Sequence, residues 1–288
     1  MDEPDFALDR RVAIVGLGLM GGSLAMALRG KCASLVGVDC DPKAVSLARR
    51  LKLIDQASSQ PGELLPGADL VILATPLRAI LVLLQELPAL HPGKAVVLDL
   101  GSTKVEVVEV MKSLPDRFDP IGGHPMCGKE TSSLANADGK MFQEVSFAFT
   151  PLARTSPDAR TVATRLAQII GARPLWIDPQ THDRWVAATS HLPYLIANSL
   201  AQATILEAKP LVGPGFRSSS RLAASPPDMM LDVLSTNRSN ILASLELFHQ
   251  RLYTIEALLA RGDWDALREL LSQGAECYRE LTRDEEAR

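Results

Sequence analysis

A short apolar run, Val12-Ala13-Ile14-Val15, enters Gly16-Leu17-Gly18-Leu19-Met20-Gly21 and leaves into a stretch of helical period. No other segment restricts the fold as tightly. A buried strand turning sharply into a helix through Gly-x-Gly-x-x-Gly is the opening unit of a doubly wound α/β domain. Gly16 permits the tight turn, Gly18 lets the backbone approach a pyrophosphate, and Gly21 lets the helix pack close to the strand. The helix N-terminus then presents unpaired N–H groups to the anion. Asp39 ends the next apolar run, where an acid hydrogen-bonds ribose hydroxyls. A carboxylate there repels a 2′-phosphate, so NAD is expected and NADP disfavoured, with Lys43 the one neighbour that counts the other way. Leu19, Met20 and Thr75 complete the candidate cofactor contacts.

Apolar runs at 12–15, 35–38, 70–73, 95–98 and 146–149, with a late one at 175–177, alternate with helical patterns at 19–28, 42–51, 80–87, 105–114 and 157–170. That alternation predicts a parallel sheet covered by helices on both faces. Near Asp178-Pro179 the strand-like runs stop, and helical patterns follow at 181–207, 227–259 and 264–281. The expected fold is an α/β Rossmann-type doubly wound sheet followed by an all-α helical domain, divided as 1–178 and 179–288. Leu242, Leu245, Phe248, Leu252, Ile255 and Leu259 repeat at helical spacing, so they pack within the bundle or against a second copy.

Composition narrows the partners. With 47% hydrophobic and 22% charged residues the chain has the profile of a soluble globular protein. Thirty Lys plus Arg against 34 Asp plus Glu give a net charge of −4 with no basic run, so no nucleic-acid partner is expected. The most apolar segment, 77–90, is interrupted by Arg78, Gln85, Glu86 and Pro88, so no membrane span is expected. The acidic start, Met1-Asp2-Glu3-Pro4-Asp5, is unlike a secretory signal, and Cys32, Cys40, Cys127 and Cys277 are scattered as in a reduced, cytoplasmic protein.

The chemistry concentrates in three places. Ile121-Gly122-Gly123-His124-Pro125-Met126-Cys127-Gly128 sets a histidine in what reads as a rigid loop rather than on an apolar helix face. Asp99-Leu100-Gly101-Ser102-Thr103-Lys104 follows a buried strand, so its polar groups emerge at the carboxyl edge of the sheet, where ligands bind in such folds. Ser102 could orient the histidine there, or Ser102 or Thr103 could cap the following helix. His182 and His191 lie nine positions apart, about 180° around a continuous helix, so their spacing argues for no shared metal. No carboxylate or thiol completes a zinc or iron set, and no metal is expected.

Through Gly16–Ser23, Gly101-Ser102-Thr103-Lys104, Gly123-His124-Pro125-Met126, Ser190-His191-Leu192-Pro193 and Gly215-Phe216-Arg217 to Arg221, the chain resembles the prephenate and arogenate dehydrogenase family of tyrosine biosynthesis. The resemblance implies oxidative decarboxylation of a cyclohexadienol that bears a ring carboxylate. It assigns His124 as the base and Ser102 as the hydroxyl beside it. It assigns Arg221 to the substrate carboxylate, with His191 and His182 in the substrate pocket. Tyr194 stands where many relatives carry a second histidine, and Lys129 where they carry a small hydroxyl residue. Both are expected near the substrate, and the Lys129 charge favours the keto acid prephenate over the ammonium-bearing arogenate. Arogenate or dual specificity is the alternative to prephenate, and a homodimer is expected. A β-hydroxyacid dehydrogenase is the remoter enzyme reading; it relies on a bundle lysine, and this chain has none between Thr181 and Lys209. A non-catalytic NAD sensor is the reading outside enzymes.

Overall fold

A computed structural model describes residues 8–129 and 131–283. The acidic stretch at 1–5 lies outside the described residues. In chain order come β1 (Leu8–Val15), α1 (Leu19–Leu28), β2 (Cys32–Val38), α2 (Pro42–Arg50), β3 (Gln56–Ser58), α3 (Pro61–Leu64) and β4 (Leu70–Leu73). Next are α4 (Leu77–Leu90), β5 (Ala95–Asp99), α5 (Val105–Lys112), β6 (Phe118–Pro125), β7 (Ser146–Pro151), α6 (Pro157–Ile169) and β8 (Arg173–Trp176). Helices α7 (Pro179–Val186), α8 (Leu192–Ala203), α9 (Pro214–Ser220), α10 (Pro227–Thr236), α11 (Arg238–Arg261) and α12 (Trp264–Leu281) complete it.

The eight strands form one sheet in the order β3-β2-β1-β4-β5-β6-β7-β8. Its first six strands follow the dinucleotide-binding order, with the switch point at β1 and β4. Alternation along β1 sets the layers: Val12 and Ile14 join one apolar cluster with α1, α2 and α6, while Ala13 and Val15 join another with α4 and α5. Burial on both faces is why these strands read as continuous apolar runs. Three helices start on a capping pair, Asp41-Pro42, Ser156-Pro157 and Asp178-Pro179, whose side chains accept from Lys43, Ala159 and Thr181 amides.

Two strand expectations change. The run at 146–149 pairs with β6 antiparallel, Gly123 opposite Phe149 and His124 opposite Ala148. A parallel neighbour needs a crossover helix, and between β6 and β7 the described chain forms only turns and a single 3-10 turn at Leu134–Asn136. His124 therefore sits near the end of a strand, not in a loop; glycines and prolines hid β6.

The described chain forms two compact units that divide after Arg238. Helices α7 to α10 belong with the sheet, tied to it by Asp183 on the Lys104 and Val105 amides, by Thr103 to Thr236 at 2.8 Å, and by Arg78 to Asp232 at 2.6 Å. The second unit is the pair α11 and α12. Leu242, Leu252 and Leu259 of the expected apolar face stay exposed on it, as do Leu271 and Tyr278. Among the described residues no helix is long and apolar enough to cross a membrane.

Candidate active site

The glycine turn follows directly from β1. Gly16 takes φ of +97°, and a Cβ there would meet the Ala74 carbonyl oxygen at 2.7 Å, so the position admits only glycine. Its amide donates to Val38 at 2.7 Å, which brings the end of β2 alongside. One oxygen of Asp39 accepts from the Leu17 amide at 2.6 Å and the other from the Asp41 amide at 2.8 Å, so the acid is fixed against the turn. Gly18, Leu19 and Met20 open onto a cavity of about 340 Å³, which Thr75, Ser102, His124 and Lys129 also line. The glycine turn and the histidine segment thus share one space.

His124 reaches that space because β6 is pinned to β5. Asp99 and Lys104 are completely buried and paired. The Lys104 ammonium also donates to the Gly123 carbonyl at 2.7 Å, and Asp99 accepts from the Gly101 and Gly123 amides at 2.8 and 3.1 Å. Paired with each other and bonded to the β6 backbone, the two charges act as a fixed clamp rather than as stranded charges. Gly123 is required by the same closeness: a Cβ there would lie 2.7 Å from the Asp99 carbonyl oxygen.

Behind His124 stands a second histidine. His124 Nδ1 lies 3.0 Å from His182 Nε2, and His182 Nδ1 lies 2.8 Å from Asp183 Oδ1. This corrects the expectation that His182 faces the substrate, since both its ring nitrogens are engaged within the protein and its side chain is 3% exposed. Asp183 was not singled out by the sequence; it accepts from the Lys104 amide at 2.7 Å and the Val105 amide at 2.9 Å and so caps α5 from a distance. Neither Ser102 nor Thr103 is that cap. Burial, followed by the nearby His182, Lys104 and His191, pushes the His124 imidazole well below its ordinary range. Such an imidazole is neutral at physiological pH.

His191 is buried too, at the end of a π-helical turn, Ala187–His191, that joins α7 to α8. The extra residue of a π turn breaks the continuous-helix spacing on which the 180° separation rested. Asn237 Nδ2 lies 3.2 Å from His191 Nδ1 and donates to the Asp183 carbonyl at 2.6 Å. Burial pushes His191 down to about 4, against the pull of Asp183. Three further expectations meet different surroundings: His191 and Tyr194 do not line the cavity, Tyr194 packing with Met230 and Val233, and Arg221 lies exposed just after α9, outside the cavity lining. Lys129 does line it, half exposed, with its ammonium 3.4 Å from Asp138.

The residues fit a nicotinamide dinucleotide. Thr75 Oγ1 is buried without a hydrogen-bond partner, a Cβ at Gly18 would project into open space, and no side chain caps α1. Amides at a helix start and an unpaired hydroxyl beside an open glycine are what a pyrophosphate and its attached rings require. With a histidine on the same cavity, fold and site define a dinucleotide-dependent dehydrogenase.

Comparison with known proteins narrows the class. The prephenate dehydrogenase nucleotide-binding domain matches residues 24–175, and the prephenate dehydrogenase dimerization domain matches 178–273. A prephenate dehydrogenase from Bacillus subtilis is 32% identical over 270 residues, which cover 89% of this chain and 72% of that protein. A prephenate dehydrogenase from Aquifex aeolicus, solved with hydroxyphenyl propionate and NAD+, is 28% identical with a TM-score of 0.85, covering 94% of this chain and 97% of that one. An arogenate dehydrogenase from Synechocystis is also 28% identical, with a TM-score of 0.81 and coverage of 94% and 99%. The chain belongs to the prephenate dehydrogenase family.

Proposed function

We propose that the chain oxidatively decarboxylates prephenate to 4-hydroxyphenylpyruvate with NAD. The observation that carries this reading is a neutral His124 on the same cavity as the glycine turn and Ser102. NAD, when bound, accepts the hydride from the ring carbon that bears the hydroxyl. His124 takes the hydroxyl proton, Ser102 orients that hydroxyl, and the ring carboxylate leaves as carbon dioxide while the ring becomes aromatic. Gly16, Gly18, Leu19, Met20, Gly21 and Thr75 hold the cofactor. Asp39 accepts from its ribose hydroxyls and selects against a 2′-phosphate.

Prephenate is favoured over arogenate by the charges on the cavity wall. Lys129 is the only cation among the described residues that line it. Asp232, the carboxylate on that wall, is held by Arg78 at 2.6 Å, so an ammonium would meet an acid already paired. Arogenate as substrate is the second reading, supported by the Synechocystis relative. NADH formation from the purified protein, with prephenate and arogenate supplied separately and each with NAD and NADP, tests both choices. Turnover is expected with prephenate and NAD; preference for arogenate or NADP overturns the corresponding assignment. In this reading residues 1–178 bind the nucleotide and residues 179–288 serve substrate binding and homodimer formation, a division that the family matches at 24–175 and 178–273 support.

A further inference from the structure

We propose that Asp183 and His182 are positioning residues that lock His124 in the tautomer able to act as a base. The inference rests on the dehydrogenase reading, because it concerns how that base is kept ready.

The chain of reasoning starts at α5. The Lys104 and Val105 amides both point at the Asp183 carboxylate, at 2.7 and 2.9 Å. An ionised carboxylate only accepts, so His182 Nδ1, 2.8 Å away, is the donor. The proposal takes His182 with this single hydrogen, so that its lone pair lies on Nε2. At 3.0 Å from that lone pair, His124 Nδ1 must carry the hydrogen. His124 Nε2 is left unprotonated, the form that accepts a proton. With His182 neutral, no member of the series can reverse without two hydrogen atoms, or two lone pairs, facing each other; a doubly protonated His182 would instead donate from Nε2 to His124, and the nitrogen spectrum tells the two apart. Lys104, His191 and the Asp183–His182 pair are the titratable groups around this imidazole, together with Asp99 behind Lys104. When His124 gains the substrate proton, its Nδ1–H remains directed at His182, whose other nitrogen faces the buried anion. The proton goes from the substrate hydroxyl to His124 Nε2, and nothing is oxidised or reduced within the series.

Nitrogen NMR of the NAD-loaded protein, labelled with ¹⁵N-histidine, reads the tautomer directly. At pH 7.5 both His124 and His182 are expected to carry hydrogen on Nδ1 and a bare Nε2. Hydrogen on Nε2 of His124 overturns the proposal. Kinetics provide the second arm. His182→Leu and Asp183→Ala are expected to lower kcat by about 10²–10⁴-fold, the range that a correctly held general base contributes. KM for prephenate should stay within about threefold, because neither side chain lines the cavity. His182→Gln, whose carbonyl accepts from Nδ1–H, is expected to recover at least about tenfold over His182→Leu. Equal loss in all three variants, or loss of KM alone, marks a merely structural role. Should the wild type turn over neither prephenate nor arogenate while the tautomer is as described, the functional reading fails and the lock stands. A wild type that is active with the opposite tautomer fails the other way.

Discussion

At the scale of single residues, the chemistry turns on how one imidazole is kept neutral. Burial is the largest influence on His124, and the buried Lys104 ammonium and two neighbouring imidazoles add to it, so all act against protonation. The sign has a kinetic consequence. A base with a depressed pKa stays active as pH falls through the ordinary histidine range, near 6.5, and is lost only below its own value. The acid limb of kcat/KM is therefore expected to lie below pH 6.5, and a limb centred at or above that value would contradict the burial described. His124→Asn should lower kcat by about 10²–10⁴-fold with little change in KM, measured by initial rates at saturating NAD. The sequence marked this residue as a candidate by its Gly-Gly-His-Pro setting. The contact of His182 with His124 was not legible, because helical spacing says nothing of the strand that packs against it.

At the scale of elements, β6 decides whether the site exists. It is a strand assembled from residues that disfavour strands, and its glycines are there because Asp99, Leu98 and Thr150 crowd the backbone. Gly123→Ala would place a methyl 2.7 Å from the Asp99 carbonyl oxygen and 2.8 Å from Leu98 Cδ1. The expected cost is about 1–3 kcal/mol, read as a lowered urea midpoint, and kcat should fall with it because His124 is the next residue. An unchanged midpoint would show that β5 and β6 yield more easily than the Lys104 clamp implies. Elements whose boundaries are written locally were well marked: Asp41-Pro42, Ser156-Pro157 and Asp178-Pro179 each start a helix. The start of α5 was not, since its cap comes from Asp183, 79 positions along the chain.

At the scale of the whole molecule, the open question is what meets the second unit. Helices α11 and α12 expose Leu242, Leu247, Leu252, Leu271 and Tyr278, more apolar surface than a helix pair leaves to water without reason. The family's dimerization domain spans 178–273 and includes most of it. Light scattering of the purified chain at micromolar concentration is expected to give twice the monomer mass; a monomer at that concentration would remove the homodimer from the proposal. The apolar spacing of 242–259 left two possibilities, burial inside the bundle or against another copy, and Leu242, Leu252 and Leu259 are exposed in the single chain, which is what the proposed homodimer would cover.

The sequence by itself determined the nucleotide domain, because everything that specifies it is local: a glycine turn, buried apolar runs of strand length, helical periods between them, and an acid one strand later. It also placed Ser102 at the sheet's carboxyl edge, since a polar residue just after a buried strand emerges there, whereas His124 was read as a loop residue and only the structure put it on β6. Only the tertiary structure decided the direction of β7, the clamp of Lys104 on Asp99, and the series from Asp183 through His182 to His124. Strand direction leaves no mark on an apolar run buried on both faces. Contacts between residues tens of positions apart depend on register and packing, which local pattern does not encode.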